Sequence, residues 1–319
     1  MKRLIVTIIL IILIAGGIFA WWKSGLEPAN PKDHTPKIFV VKKGDGIREI
    51  SYNLRHEGLI KDSIVFFLQT KRLGLDKQIQ AGDFRLNPSM NASEIAYILT
   101  HGTLDIWVTI PEGLRAEEMA DLFEKKLPSY KADWRDHLIA NEGYLFPDTY
   151  LFPKDGDINT VLSLMKTNFQ NKYDSVKATK TTDLTDQETL IAASLIEREA
   201  KYAKDRPLVA SVILNRLEIG MKLDIDATLQ YALGYQENEK RWWKKNLTTD
   251  DLEITSSYNT YKVAGLPPTP ISNPGLSAIS AAMNPVNTNY LYYISDKSGN
   301  LHFSETLEGQ NANIKKYGL

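Results

Sequence analysis

The chain has 319 residues, no cysteine and a formal net charge of −1, from 38 Lys and Arg against 39 Asp and Glu. This length predicts about two domains, and the lack of cysteine excludes a disulfide framework, a Cys-ligated metal site and a thiol nucleophile. The even charge balance argues against a nucleic-acid binder, which usually carries a basic excess.

An apolar run at residues 4–22 is the first predicted element. It contains no charged side chain, two basic residues precede it, and a pair of tryptophans ends it. A helix of this length spans the roughly 30 Å hydrocarbon core of a bilayer, and the basic residues keep its N-terminus in the cytoplasm. We expect residues 1–22 to be a single-pass anchor in the cytoplasmic membrane, with a cytoplasmic tip at 1–3. The alternative is a cleaved signal peptide; in both cases the rest of the chain is exported.

Residues 23–37 contain three prolines among polar residues and predict an extended linker to the membrane. Residues 38–103 then alternate between short strand-like and helix-like segments, each ended by glycine-containing turns. The predicted order of strand, helix, helix and strand resembles a LysM-type carbohydrate-binding module. We therefore expect a small LysM-like α/β subdomain here.

Residues 104–319 form the predicted second domain. It opens with a strand and an amphipathic helix, and residues 142–150 then read EGYLFPDTY. That aromatic-rich segment is either a buried loop or one wall of a sugar-binding groove. Near the C-terminus, residues 290–295 and 301–304 predict a β-hairpin, in which His302 has a structural role.

The predicted helix after Thr185 carries the candidate catalytic residue. Thr185 and Glu188 have the spacing of a capping box, and residues 190–196 contain no charge, so we expect a buried helix. Glu197 follows this run and projects on a side with mostly small neighbours, which leaves room for a ligand. Partial burial would raise its pKa, as a general acid at neutral pH requires. The alternative is an ion pair with Lys201.

Glu199 is the nearest possible second carboxylate. Residues two apart on a helix are about 200° apart, so Glu197 and Glu199 do not face each other. They therefore cannot flank one bond as the carboxylate pair of a glycosidase does. We expect Glu199 and Arg198 to form a solvated or structural pair.

A second helix is predicted at 207–218, with proline early and glycine just past its end. Rigid proline-rich loops follow, and their polar and aromatic side chains suit sugar binding or a purely structural role. Trp242 and Trp243 lie among four basic residues. That segment contacts glycan or anionic lipid, or it is an exposed insertion.

In combination these segments resemble the endolytic murein transglycosylases of the YceG-like (MltG) family. The segments that carry the resemblance are ASLIERE at 193–199, VILNRL at 212–217, Gly220-Met221, Asp226, Thr228, EGYLFPDTY at 142–150, YNTY at 258–261 and GLPP at 265–268. The resemblance covers almost the whole exported chain. It implies an α+β fold: an N-terminal transmembrane helix, the LysM-like subdomain and a mixed α+β catalytic domain.

The resemblance implies a bacterial enzyme that cuts the MurNAc–GlcNAc β-1,4 bond inside peptidoglycan strands without water. Each cut leaves a 1,6-anhydro-MurNAc end and terminates or trims nascent strands. The catalytic glutamate falls on Glu197, which acts as acid and then as base. Because the substrate's own C6 hydroxyl attacks, no second carboxylate is needed. The expected substrate-binding residues are Asn215, Asp226, Thr228, Tyr258, Asn259, Tyr261 and Glu142.

Two other functions stay open from the sequence. One is a muramidase, a hydrolase that would use Asp226 or Glu142 as a second carboxylate. The other is a non-catalytic, membrane-tethered scaffold that binds peptidoglycan. Expected partners are glycan strands, the lipid bilayer through residues 4–22, and cell-wall synthases (penicillin-binding proteins), with no nucleic acid. We expect no cofactor and no metal, because the five histidines lack ligand spacing.

Overall fold

The structure is a computed structural model that describes residues 2–100, 105–154 and 156–317. The chain divides into two compact units, Met1–Ile106 and Trp107–Leu319. The elements of the N-terminal unit are α1 (Lys2–Leu26), β1 (Lys37–Val41), α2 (Ile47–His56), α3 (Ser63–Arg72), β2 (Gly82–Leu86) and α4 (Ala92–Thr100). The segment β3 (Asp105–Thr109) crosses the boundary between the units.

The N-terminal unit is built on an antiparallel pair of strands. β1 and β2 pair from Lys37 opposite Leu86 to Val41 opposite Gly82. Alternate residues of each strand point to one face, and apolar residues of the three helices α2, α3 and α4 cover that face. The observed order of strand, helix, helix and strand confirms the predicted order of elements.

The C-terminal part of α1 packs against the other helices of this unit. Trp21 Nε1 donates a hydrogen bond to Asp62 Oδ2 at 3.0 Å. A Cβ at Gly25 would lie 2.6 Å from Val65 Cγ2, so only glycine allows this close approach. The predicted linker is therefore wrong at its start, because residues 23–26 are helical and packed against α3. No helix in the described part of the chain has both the length and the apolar character that crossing a membrane requires.

The C-terminal unit is mostly helical. Its elements after β3 are α5 (Ala116–Lys126), α6 (Trp134–Ile139), β4 (Thr149–Pro153), α7 (Ile158–Lys177), α8 (Asp186–Glu199), α9 (Arg206–Glu218), α10 (Asp226–Leu233), α11 (Thr249–Leu252), α12 (Leu276–Met283), β5 (Tyr292–Ser295), β6 (Leu301–Ser304) and α13 (Leu307–Tyr317). A 3₁₀ turn, Ala203–Asp205, precedes α9. β3 pairs with β4, and β5 pairs with β6 in an antiparallel hairpin, which confirms the hairpin prediction.

Helix α8 lies at the centre of this unit. The predicted capping box is present, since the Thr185 side chain accepts from the Glu188 N–H and the Glu188 side chain accepts from the Thr185 N–H. Every residue from 189 to 196 is buried, which confirms the predicted buried helix. Helices α9 and α12 pack against it. The C-terminal end of α8, which carries Glu197 and Glu199, is therefore held in position by a buried, packed helix.

Candidate active site

An open cavity of about 370 Å³ lies beside the C-terminal end of α8. Glu199 borders it, together with Asp224 and Asp226 just before and at the start of α10, Tyr261, and Tyr293 from β5. Four separate parts of the chain thus bring these polar side chains to one opening. The size and the polar lining suit part of a polar ligand.

Glu199 is a half-buried acid at the edge of this cavity. The Tyr293 hydroxyl donates to Glu199 Oε2 at 2.8 Å. Burial raises the pKa of Glu199, the Tyr293 hydrogen bond opposes that rise, and the negative charge of Asp226 adds to it. A carboxyl group with a raised pKa keeps its proton at a higher pH than an ordinary carboxyl does, as a general acid must.

The other walls of the cavity are held by internal hydrogen bonds. The Tyr261 hydroxyl donates to Asp226 Oδ1 at 2.6 Å. Arg216 donates from Nε to the Leu291 carbonyl at 2.6 Å and from Nη1 to the Leu223 carbonyl at 2.7 Å. Arg216 therefore ties α9 to the hairpin and to the loop before α10, and so fixes the cavity that Glu199 faces.

Glu197 lies in a different environment. Its Oε1 is 2.6 Å from Arg206 Nη2, and its Oε2 accepts the Gly275 N–H at 3.0 Å. Its side chain is 5% exposed and that of Arg206 is 9% exposed. Burial raises the pKa of Glu197, while the Gly275 hydrogen bond and the Arg206 charge oppose the rise. Its salt-bridge partner is Arg206 rather than Lys201, the partner in the alternative interpretation.

Arg198, which lies between the two glutamates in the chain, has different partners from Glu199. Arg198 lies with its guanidinium 3.7 Å from the centre of the Trp243 ring and donates to the Gly113 carbonyl at 3.3 Å. Glu199 instead bonds to Tyr293. The predicted solvated or structural pair of Arg198 and Glu199 does not form, because the two side chains have different partners.

Three of the predicted substrate-binding side chains are used inside the protein. Asn215 Nδ2 donates to the backbone carbonyls of Thr288 and Tyr290. Thr228 and Asn259 are both 0% exposed; Thr228 bonds within the start of α10, and Asn259 donates to two carbonyls after α11. In this conformation a substrate cannot reach Thr228 or Asn259, so both have structural roles.

Glu142 is likewise structural. Its two carboxylate oxygens accept the Ala116 N–H at 3.1 and 3.0 Å, at the N-terminus of α5, and Asn273 Nδ2 donates to it at 2.7 Å. Burial raises its pKa to about 8. Leu145 and Phe146 beside it are buried. Of the two interpretations of residues 142–150, the structure supports the buried loop.

The Tyr258 side chain is half-buried. Its hydroxyl bonds to Thr269 Oγ1 at 2.5 Å, and its ring lies 4.9 Å from that of Tyr231.

Of the predicted binding residues, only Asp226 and Tyr261 line the cavity with Glu199. Sequence reasoning missed Tyr293, which is 94 positions from Glu199, because no local pattern connects a hairpin tyrosine to a helix end. Within residues 2–100, 105–154 and 156–317, no group of three or more His, Asp or Glu side chains is arranged to hold a metal ion.

Comparison with known proteins gives one consistent family. The model of the YceG-like family matches residues 39–316. An endolytic murein transglycosylase of Bacillus subtilis is 32% identical over 96% of this chain and 91% of its own length. One from Streptococcus pneumoniae is 27% identical over 97% of this chain, which spans 64% of that protein. A crystal structure of a putative YceG-like protein from Listeria monocytogenes matches with a TM-score of 0.55 and 29% identity, over 87% of this chain and 99% of the other.

Proposed function

This chain belongs to the YceG-like family, and on that premise we propose that it is an endolytic murein transglycosylase. The observation that carries the proposal is the half-buried Glu199, whose side chain lies at the edge of an open polar cavity. We propose Glu199 as the general acid. Glu197, the acid that the sequence predicted, is the alternative, and both of its carboxylate oxygens already bond to Arg206 and Gly275.

In the proposed reaction, protonated Glu199 gives its proton to the glycosidic oxygen between MurNAc and GlcNAc. The bond from that oxygen to C1 of MurNAc breaks, and positive charge develops at C1. The C6 hydroxyl of the same sugar then attacks C1 and loses its proton to the Glu199 carboxylate. One carboxyl group therefore serves both steps, and the product carries a 1,6-anhydro-MurNAc end.

A muramidase is the second candidate, because Asp226 borders the same cavity as Glu199. Hydrolysis would use Asp226 as the second carboxylate. The bond from Tyr261 to Asp226 favours a supporting role instead. Incubating the full chain with isolated sacculi and analysing the strand ends by mass spectrometry tests the choice. We expect anhydro ends; reducing ends would support the hydrolase, and no new ends would overturn both proposals.

The pH dependence of the reaction tests the assignment of Glu199 as the acid. Two variants that should shift its pKa in opposite directions make this test more specific. Because the acid must be protonated, kcat/KM should fall as pH rises through the pKa of Glu199, which lies above the ordinary 4.5. Asp226→Asn removes a charge that raises this pKa, so the fall should move to lower pH. Tyr293→Phe removes a bond that lowers it, so the fall should move to higher pH. Shifts in the same direction, or none, would contradict the assignment.

We also propose that residues 4–22 anchor the chain in the cytoplasmic membrane, with the C-terminal unit outside the cytoplasm. The uncharged run and the basic residues before it support this. Fractionation of cells after alkaline extraction should leave the full chain in the membrane pellet and release a chain without residues 1–22. Release of both chains would contradict the anchor.

The N-terminal unit has the element order expected of a LysM-like subdomain, and we propose that it binds glycan. Partnership with cell-wall synthases and the termination of nascent strands stay predictions. They rest on the resemblance and on the function proposed for Glu199.

A further inference from the structure

A second groove of about 450 Å³ lies in the C-terminal unit, between α5 and the segment that contains the tryptophan pair. We call it the Trp242 groove; Asp121, Lys125, Tyr235, Lys240, Arg241 and Trp242 line it. Neither the family comparison nor the proposed reaction assigns it a role. The sequence suggested either an exposed insertion or a contact surface here.

The tryptophan pair is built into the fold, so an exposed insertion is excluded. Trp243 is 6% exposed. Trp243 Nε1 donates to Glu118 Oε2 and Trp242 Nε1 donates to Asp121 Oδ2, both at 2.8 Å. Their hydrogen bonds to α5 hold both rings in place. The groove therefore has a fixed aromatic wall, which lowers the entropy lost when a ligand packs on it.

The acidic side chains of the groove are already used. Asp121 bonds to Arg135 as well as to Trp242, and Glu118 accepts from Trp243 and from the Arg115 N–H. Arg135 offsets the charge of Asp121, whereas Glu118 accepts only from neutral N–H groups. The three basic residues of the groove lining outnumber these two acidic ones.

Three basic residues border the groove: Lys125, Lys240 and Arg241. Across residues 2–100, 105–154 and 156–317, none of the three has a carboxylate partner within salt-bridge distance. Lys240 also has a φ of 51°, a left-handed conformation that costs free energy for a residue other than glycine. An unpaired cation held in a strained turn beside an aromatic wall suits an anionic ligand.

The tryptophan pair also contacts the C-terminal end of α8 through Arg198. Arg198, next to Glu199 on α8, stacks on Trp243. The charges of Glu118 and Arg241 are close enough to act on Arg198. The Trp242 groove and the Glu199 cavity thus lie in the same unit as separate surfaces.

We propose that the Trp242 groove binds the carboxylate-bearing stem peptide attached to MurNAc, and so selects peptide-bearing strands over bare glycan. This inference rests on the proposed function and names a further part of the substrate. In bare glycan the carboxylates are the lactyl groups fixed on the sugars themselves, whereas the stem peptide carries its carboxylates away from the glycan backbone, where three unpaired cations can meet them. A pocket lined by fixed aromatic rings suits such a peptide better than the head groups of a lipid surface.

The test compares labelled soluble strands with their stem peptides against strands stripped of peptide by an amidase. Binding is measured in the full chain with both candidate acids replaced, Glu197→Gln and Glu199→Gln, so that no turnover interferes. Lys240→Gly with Arg241→Ala removes two cations, and glycine suits the backbone at 240. We expect Kd for peptide-bearing strands to rise about fivefold to tenfold, Kd for stripped strands to stay unchanged, and the difference to shrink as salt is added.

Two matched variants control this experiment. Lys297→Ala with Lys315→Ala removes two exposed lysines elsewhere in the unit and should change neither Kd. Lys240→Arg with Arg241→Lys keeps the charge and should keep most of the binding. An equal loss for both kinds of strand, or no loss, would overturn the proposal, as would binding to anionic phospholipid vesicles that Lys240→Gly with Arg241→Ala weakens. Binding is measured without cleavage, so failure of the groove proposal would appear as unchanged or unselective binding. Failure of the transglycosylase proposal would appear as no strand cleavage by the parent chain.

Discussion

Glu199→Gln is expected to lower the rate of glycan cleavage by roughly 10²–10⁴-fold, the usual contribution of a general acid–base group. Gln keeps the size of the side chain and still accepts the Tyr293 hydrogen bond. It cannot donate a proton to the leaving oxygen or take one from the C6 hydroxyl. We therefore expect kcat to fall, while binding of strands stays near that of the parent chain. The release of anhydro-ended fragments from sacculi measures this.

Glu197→Gln is the matched control, because it makes the same chemical change two positions away. Gln at 197 can still accept the Gly275 N–H and contact Arg206. We expect it to keep at least a tenth of the parent rate, because its side chain supports the core rather than the cavity. The reverse order of effects, with Glu197→Gln inactive and Glu199→Gln active, would return the acid to Glu197 and contradict our proposal.

The sequence predicted the helix that carries both candidate acids, but it did not reveal which of the two side chains borders the cavity. The capping box and the uncharged run define α8 because both are local patterns. They also show that Glu197 and Glu199 point in different directions. Which direction leads to a cavity depends on Arg206 from α9 and on Tyr293 from the hairpin. Those contacts are tertiary, so helical spacing alone does not reveal them.

The same reasoning applies to the predicted binding residues that the structure places in buried positions. Asn259 and Thr228 belong to polar motifs that look suited to sugars, but their hydrogen bonds are used to hold irregular loops. Loops without regular structure must satisfy their backbone groups with side chains, so buried polar residues are common in them. Composition cannot distinguish such a residue from one that binds a ligand. Burial and hydrogen-bond partners make the distinction.

Arg206→Ala is expected to lower the free energy of unfolding by about 3–5 kcal/mol, the cost of leaving a buried charge without its partner. Arg206 and Glu197 are both nearly inaccessible, and their charged atoms are 2.6 Å apart. Glu112, at 3.5 Å from Arg206, is a weaker second partner and is half-exposed. Chemical denaturation of the full chain, followed by tryptophan fluorescence, measures the loss. Lys204→Ala, an exposed change in the neighbouring turn, should cost less than about 0.5 kcal/mol.

The pH dependence of this loss identifies its cause. Arg206 lowers the pKa of Glu197, and burial raises it, so removing Arg206 raises that pKa further above the unfolded value near 4.5. The folded variant then binds a proton more tightly than the unfolded one, and its instability should be largest at neutral pH and shrink as pH falls toward 4.5. The double change Glu197→Gln with Arg206→Met removes both charges and should be markedly more stable than Arg206→Ala alone. A loss that is independent of pH and persists in the double variant would show that Arg206 acts through packing rather than through its charge.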